Sequence, residues 1–382
     1  MEVYLDNSST TRPFDEVTDL VVKYMKEDYG NPSSLHHMGM VAEKAMKKAR
    51  KQVADAAGVD AENVIFTSGG TEADDLAIIG AALANCGKGS RKKNKIITSV
   101  IEHPAVLQAF KRLEEMGFEA AYIETDSNGV IRMDQLKEEI DDNTVLISCM
   151  HVNNETGAVQ PIAEIAEIKK DAILHVDCVQ SFGKLKLPVG HADLISISGH
   201  KVHGPMGSGA LINPGKVNIK PLLFGGGQEK DIRPGTENLP VIAGFGLACE
   251  MISRDMDKKE AGIAQMRERL MAGIVSQVKD IRINSPEGSC PSVLNISFRG
   301  TRGEVLLHKL ESEGIYVSTG SACSANHGGG SHVLKAMGLT DEEITGAIRF
   351  SFGRFNKMEE MDYVIEKTVK AVEEFRTLGS FR

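Results

Sequence analysis

Apolar positions change period along the chain. Residues 63–67, 95–100, 120–123, 144–150, 173–176 and 194–197 form short, nearly continuous apolar runs, the pattern of buried strands. Between them, residues 72–83 set Leu76, Ile79 and Leu83 on one helical face. Pro104 suits the first turn of a helix through Leu107, Phe110 and Leu113, and residues 162–170 also read as helical. This alternation of strand and helix predicts an α/β fold with a mostly parallel sheet covered by helices on both faces.

After Leu247 the pattern changes. One long amphipathic helix is predicted over 241–277, then strands at 292–298, 315–317 and 347–352, a helix at 305–312 and a closing helix at 358–375. The expected division is a large domain at 13–255 and a smaller α+β domain made of 1–12 and 256–382. In an open α/β sheet, ligands bind beyond the carboxyl ends of the strands. The unusual polar residues of this chain fall at those ends.

Lys201 is the first of them. It follows the strand at 194–197 through a small-residue turn, between His200 and a glycine-rich segment. Desolvation at such a place lowers an amine's pKa and suits it to Schiff-base chemistry, whereas taken alone it reads as a solvated loop lysine. Residues 67–71 (Thr67, Ser68, Gly69, Gly70, Thr71) follow a strand and open a helix, a place where free backbone N–H groups bind phosphate. A simple helix cap is the plainer reading there. Asp177 ends an apolar strand and needs a cationic or donor partner, which a protonated pyridine nitrogen provides, and Gln180 lies close by. His103 ends another strand, placed to stack on a flat ring or move protons. Asn154 lies in an Asn- and Gly-rich turn after Met150. Together these features specify pyridoxal 5'-phosphate better than any one of them does.

Composition narrows the picture. The 382 residues carry a net charge of -9, which argues against non-specific nucleic-acid binding and a polybasic membrane site. The clusters at 47–51 and 91–93 read as solvated faces. The start of the chain lacks a signal-peptide pattern, so a cytoplasmic protein is expected. Six scattered cysteines describe neither a disulfide framework nor a zinc site. Cys323 stands apart in a loop of Gly, Ser, Ala and Asn without a large apolar anchor, expected to be exposed and mobile. Cys323 and His327 give two metal-ligand types without visible others, too few for a metal site.

With these residues in view, the chain resembles the cysteine desulfurases of the NifS/IscS group, class-V aminotransferase-like enzymes of fold type I. The resemblance runs through residues 4–10, 30–34, 67–72, 151–157, 175–177, 198–201, 233–238 and 318–323 to 349–354, nearly the whole chain. It implies that Lys201 carries the cofactor as a Schiff base, Asp177 holds the pyridine nitrogen and His103 stacks on the ring. Asn154 and Gln180 would flank the ring's phenolate oxygen. Gly70, Thr71, Ser198 and His200 would hold the phosphate, with the partner subunit's Thr236 reaching it in a homodimer. Arg349 matches the arginine for the substrate carboxylate, and Asn154 is expected as a second substrate contact. Cys323 matches the cysteine that takes the substrate's sulfur.

The implied activity is conversion of L-cysteine to L-alanine, with sulfur passed through Cys323 to an iron–sulfur scaffold or another acceptor. Lys201, His103 and Cys323 would be the catalytic groups. No resident metal is implied, although Cys323 is a candidate transient ligand of a nascent iron–sulfur cluster. Two departures stand out: Gly70 where many relatives have alanine, and Cys178-Val179 where small residues often follow the aspartate. The competing readings are a selenocysteine lyase, another fold type I enzyme such as a transaminase, and an assembly scaffold without turnover.

Overall fold

A computed structural model describes residues 1–87, 93–319, 330–377 and 379 of the chain. Its strands are β1 (Val3–Tyr4), β2 (Val64–Thr67), β3 (Lys95–Ser99), β4 (Glu119–Ile123), β5 (Thr144–Ser148), β6 (Ile173–Asp177), β7 (Leu194–Ser198), β8 (Gly209–Ile212), β9 (Ile281–Ile283), β10 (Val293–Phe298), β11 (Ile315–Tyr316) and β12 (Ala347–Ser351). Seven of them form one sheet in the order β2-β8-β7-β6-β5-β3-β4. All neighbours are parallel except β8, which runs antiparallel to both β2 and β7.

Alternation along the strands builds two cores, one on each face. Val64, Phe66, Ile97, Ile147, Ile195 and Ile197 face one, packed on the helices His37–Ala57 and Leu239–Ser253. Ile65, Ile96, Leu146, Leu194 and Leu211 face the other, against the helix Pro104–Glu115 and the segment that begins at Gly70. Each fully buried Ile or Leu side chain contributes roughly 1.5–3 kcal/mol. The sheet is therefore held from both sides, and its strand ends are fixed platforms.

A second, antiparallel sheet has the order β12-β10-β9, and β1 pairs in parallel with β11. These elements share a separate core with the helices Met256–Val275 and Met358–Thr377, to which the N-terminal Val3 and Leu5 also belong. A small cluster of Ile101, Met150, Val333, Leu334, Met337, Leu339 and Ala347 joins this part to the strand ends of the large sheet.

Three details differ from the pattern reading. The helix expected over 241–277 is two helices, Leu239–Ser253 and Met256–Val275. Arg354 explains the break: it donates to the Ile252 carbonyl (2.6 Å) and to Asp255 (2.6 Å), capturing the end of the first helix. The glycine-rich stretch after Lys201 supplies a strand, β8, which the turn-like composition hid. The helix expected over 72–83 starts at Gly70 and passes through a π-helical turn at Leu76–Gly80. The basic residues Arg91 and Lys92 lie outside the described residues. Among those described, no helix is long and apolar enough to cross a membrane.

Candidate active site

The carboxyl ends of β2, β3, β5, β6 and β7 open onto one cavity of about 320 Å³. β7 ends at Ser198, and a single turn of 3₁₀-helix, Gly199–Lys201, delivers the lysine. Only glycine fits at 199, because a Cβ there would lie 2.1 Å from the Ser208 Oγ and 3.0 Å from the Phe245 ring. The Lys201 Nζ donates to the carbonyls of Ser8 (2.6 Å) and Ser9 (2.7 Å). The N-terminal segment thus orients the amine from the side opposite the sheet.

Asp177 ends β6, fully within the protein, and one of its oxygens accepts the Val179 N–H (2.8 Å). Burial raises its carboxyl above the usual range, opposed by that N–H and by the charge of Lys201. Asp74 lines the same cavity, buried, and is raised as well, first by burial and then by Asp177. Beneath them His175 spans two hydroxyls, Ser148 Oγ at 2.8 Å and Ser196 Oγ at 2.9 Å. Burial pushes its imidazole down to about 3, so it is neutral and relays one hydrogen bond across β5, β6 and β7.

At the start of the helix after β2, Thr67 Oγ1 donates to the Gly69 carbonyl (2.9 Å) and Ser68 N–H to Glu72 (2.6 Å). Gly70, Thr71, Ser198 and His200 line both the central cavity and a hollow beside it. The Ser198 Oγ is buried without a partner among the described residues. His200 uses Nδ1 on Thr10 Oγ1 (3.1 Å), which leaves Nε2. The departures at 70 and 179 turn out to be one feature: a Cβ on Gly70 would lie 2.7 Å from Val179 Cγ2. The valine fills the space that an alanine at 70 would need.

These groups fit pyridoxal 5'-phosphate. A buried carboxyl waits at the end of β6, an unpaired hydroxyl and a helix start lie at the phosphate end, and a lysine stands between. Asn154 and Gln180 line the same space. The Gln180 amide is oriented by Lys184 Nζ on its oxygen (3.2 Å), so that its nitrogen donates, here to the Ser8 carbonyl (3.0 Å).

The opposite wall comes from the second sheet. Arg349, on β12, is 4% exposed. Its Nη2 donates to Asp6 (2.8 Å) and Ser9 Oγ (2.8 Å), and its Nη1 to the Asn154 carbonyl (3.0 Å). Among the described residues its buried Nε–H has no partner, a donor left for an anion. His103 caps the helix Pro104–Glu115: its Nδ1 accepts the Ala105 N–H (3.2 Å). Burial first, then Lys201 and His332, push its imidazole down to about 4.

Ten of the residues expected from the sequence therefore meet at one cavity: Gly70, Thr71, His103, Asn154, Asp177, Gln180, Ser198, His200, Lys201 and Arg349. Thr236 does not; it lines a separate hollow with Tyr24, Tyr29, Gly30 and Asn31. Cys323 and His327 lie outside the described residues. Sequence reasoning missed Ser8, Ser9, Asp74, Glu155, Ser318 and His332, which also line the cavity. Asp74 carried a signal, an acid inside the stretch that continues the phosphate loop, but the carbonyls of Ser8 and Ser9 carried none.

Comparison with known proteins follows the same lines. The family description "Aminotransferase class-V" matches residues 3–364. The "Cysteine desulfurase IscS" of Methanosarcina thermophila is 42% identical over 381 residues, covering 99% of this chain and 93% of that one. A solved "NIFS-like protein" superimposes with a TM-score of 0.91 at 36% identity, over 98% of this chain and 100% of that one. A structure described as "SspA in complex with cysteine" has a TM-score of 0.81 at 33% identity, over 93% and 99% of the two chains.

Proposed function

The chain belongs to the class-V aminotransferase family, with fold type I and dependence on pyridoxal 5'-phosphate, and from that premise we propose a cysteine desulfurase. It converts L-cysteine to L-alanine and leaves the sulfur on Cys323 as a persulfide. The observation that carries this reading is the meeting of Lys201 and Asp177, at the ends of strands β7 and β6, with Arg349 from β12 around one cavity. The amino acid's carboxylate pairs with the guanidinium, and its amine is then directed toward the lysine.

The bound cofactor supplies an electron sink for charge that develops on the substrate. Asp177 would hold the cofactor's pyridine nitrogen, and His103 would lie against its ring. Asn154 and Gln180 would hold the ring oxygen. Gly70, Thr71, Ser198 and His200 would hold the phosphate, completed by the partner subunit's Thr236 in a homodimer. Lys201 Nζ would take the Cα proton. Arg349 and Asn154 fix the substrate, and Cys323 as thiolate attacks its sulfur. One S–S bond forms, one Cβ–S bond breaks, and the carbon side keeps the electron pair.

The division into a large domain at 13–255 and a smaller one of 1–12 and 256–382 belongs to this proposal. So do a cytoplasmic setting and an iron–sulfur scaffold as the acceptor. Peptide-resolved mass spectrometry after brief exposure of the holoenzyme to L-cysteine, with alanine assayed in parallel, tests the reading. One sulfur on Cys323 with alanine formed is the expected result. Cofactor-loaded protein that gives neither overturns it.

A further inference from the structure

Lys184 does not line the cofactor cavity but touches a residue that does. It follows β6 by a tight turn. The N–H groups of Ser181 and Phe182 reach the Cys178 carbonyl (3.1 and 2.8 Å), and those of Lys184 and Leu185 reach the Ser181 carbonyl (3.0 and 2.9 Å). Gly183 has φ +72°, and a Cβ there would lie 2.6 Å from Ile252 Cδ1. Glycine alone turns the chain in so little space. The turn brings Lys184 back over Gln180, and its Nζ donates to the Gln180 Oε1 (3.2 Å).

That contact decides what Gln180 presents to the cavity. An ammonium only donates, so it holds the amide oxygen and leaves the amide nitrogen for acceptors. The Ser8 carbonyl takes one hydrogen of that nitrogen (3.0 Å). The second hydrogen suits the cofactor's ring oxygen, which accepts. Without the ammonium, the amide oxygen of this 7%-exposed side chain loses its donor, and the amide swings toward another.

The lysine has a counterpart across the fold. Lys184 and Glu260, on the helix Met256–Val275, line one small cavity of about 20 Å³, room for a single water molecule. Glu260 Oε2 is buried and has no partner among the described residues. Arg354 lines the same cavity, but it donates to the Ile252 carbonyl and Asp255. Burial lowers the Lys184 ammonium, opposed by Cys290 and Glu260 and aided by Arg349. Burial raises Glu260 to about 7, opposed by Lys184 and Arg354. Each charge thus favours the other. His200 and His203, after β7, also face the lysine; burial lowers both, and its charge adds to that.

We propose that Lys184 and Glu260 are a positioning pair for the cofactor's ring oxygen: Glu260 holds the ammonium across the small cavity, and Lys184 holds the Gln180 amide with its nitrogen toward the ring. The pair acts through Gln180 and takes no part in bond making. The inference rests on the assignment of Gln180 to the ring oxygen. It ties a cofactor contact to a helix that shares its core with β12, the strand of Arg349.

The nitrogen that joins Lys201 to the bound cofactor carries a positive charge when protonated. A cation nearby and a donor on the ring oxygen both disfavour that proton. Removing Lys184 therefore moves the midpoint of the cofactor's absorbance change to higher pH.

The test is a pH titration of that absorbance in the holoenzyme. Lys184→Met should raise the midpoint by on the order of one pH unit, and Lys184→Arg should keep it near the wild-type value. Glu260→Gln should move the midpoint in the wild-type background and leave it unmoved in the Lys184→Met background, because its effect passes through the lysine. Urea midpoints identify folded variants, and where Lys184→Met does not fold, Lys184→Gln takes its place with the same expected rise. An unmoved midpoint in the folded lysine variant, or an equal Glu260→Gln shift in both backgrounds, would overturn the inference. Gln180→Leu tells this failure from failure of the site reading. If it too leaves the midpoint unmoved, Gln180 does not meet the ring oxygen and the reading fails; if it raises the midpoint, only the pair fails.

Discussion

Beneath Asp177, buried polar groups are joined to one another: Thr98 donates to the Ser148 carbonyl, and His175 joins the hydroxyls of Ser148 and Ser196. On the opposite wall, Arg349 keeps a buried N–H without a partner among the described residues. The floor comes from neighbouring strands of one sheet and the wall from segments hundreds of residues apart. A floor of this kind fixes a cofactor in place and has little capacity left for a changing ligand. A wall with an unpaired donor suits a substrate that arrives, changes and leaves. The comparison teaches that the floor joins most of its polar groups to one another, apart from Ser198 Oγ at the phosphate end and one Glu102 oxygen, whereas the wall keeps a donor for the substrate.

Removing a group that belongs to both sides should have the largest effect. Lys201 follows a floor strand by one 3₁₀ turn yet hydrogen-bonds the N-terminal segment. Lys201→Ala should abolish alanine formation and change the cofactor's absorbance together. An unchanged spectrum would remove the lysine from its assigned place.

A wall substitution should separate the two sides. Arg349→Met removes the donor to the substrate carboxylate, a charged hydrogen bond worth about 1.5–3 kcal/mol. The KM for L-cysteine should rise between about 10- and 150-fold while cofactor content stays constant. Loss of cofactor, measured by its absorbance after gel filtration, would mean that the wall also holds it.

The floor has its own signature, visible in stability. Burial pushes Glu102 up to about 8, where Ser99 Oγ and the Met150 N–H share one oxygen and the other has no partner among the described residues. Between the ordinary glutamate range and pH 8, the folded state binds a proton here that the unfolded chain has released. Glu102 therefore stabilises the fold at low pH and loses that contribution as pH rises toward 8. His175, pushed down to about 3, acts the other way. Its neutral form is favourable above about 6.5, and the contribution is lost as pH falls toward 3. Urea midpoints measured across pH should show a dome. Glu102→Gln should flatten its alkaline side by on the order of 1 kcal/mol per pH unit. An unaltered alkaline side would mean that Glu102 is ionised in the fold.

The same contrast explains what was legible in the sequence. Lys201 and Asp177 end apolar strands, so the pattern placed them at the mouth of a parallel sheet before any contact was known. The reaction-side residues gave no such signal. Ser8 and Ser9 act through backbone carbonyls, which any residue has, and His332 starts a five-residue helix too short to have a period. Arg349 was found only because its motif resembles a known family. The two helices read as one, 241–277, failed for a related reason: the break is made by Arg354, a hundred residues away.

The smallest effect expected is the most local. Gly70 and the pair Cys178-Val179 stand in the sequence as two departures, yet the Val179 Cγ2 sits 2.7 Å from where an alanine Cβ would stand. A β-branched side chain has few rotamers with which to retreat. Gly70→Ala alone should therefore strain the start of the phosphate-holding helix, and Val179→Ala alone should leave a void. The double variant should recover most of both losses, with a coupling of about 1 kcal/mol in thermal or urea unfolding. Additive losses would show that the two positions vary independently. Coupling would show that the floor near the phosphate is packed as one unit, so that a change on the helix side is possible only with its partner after β6.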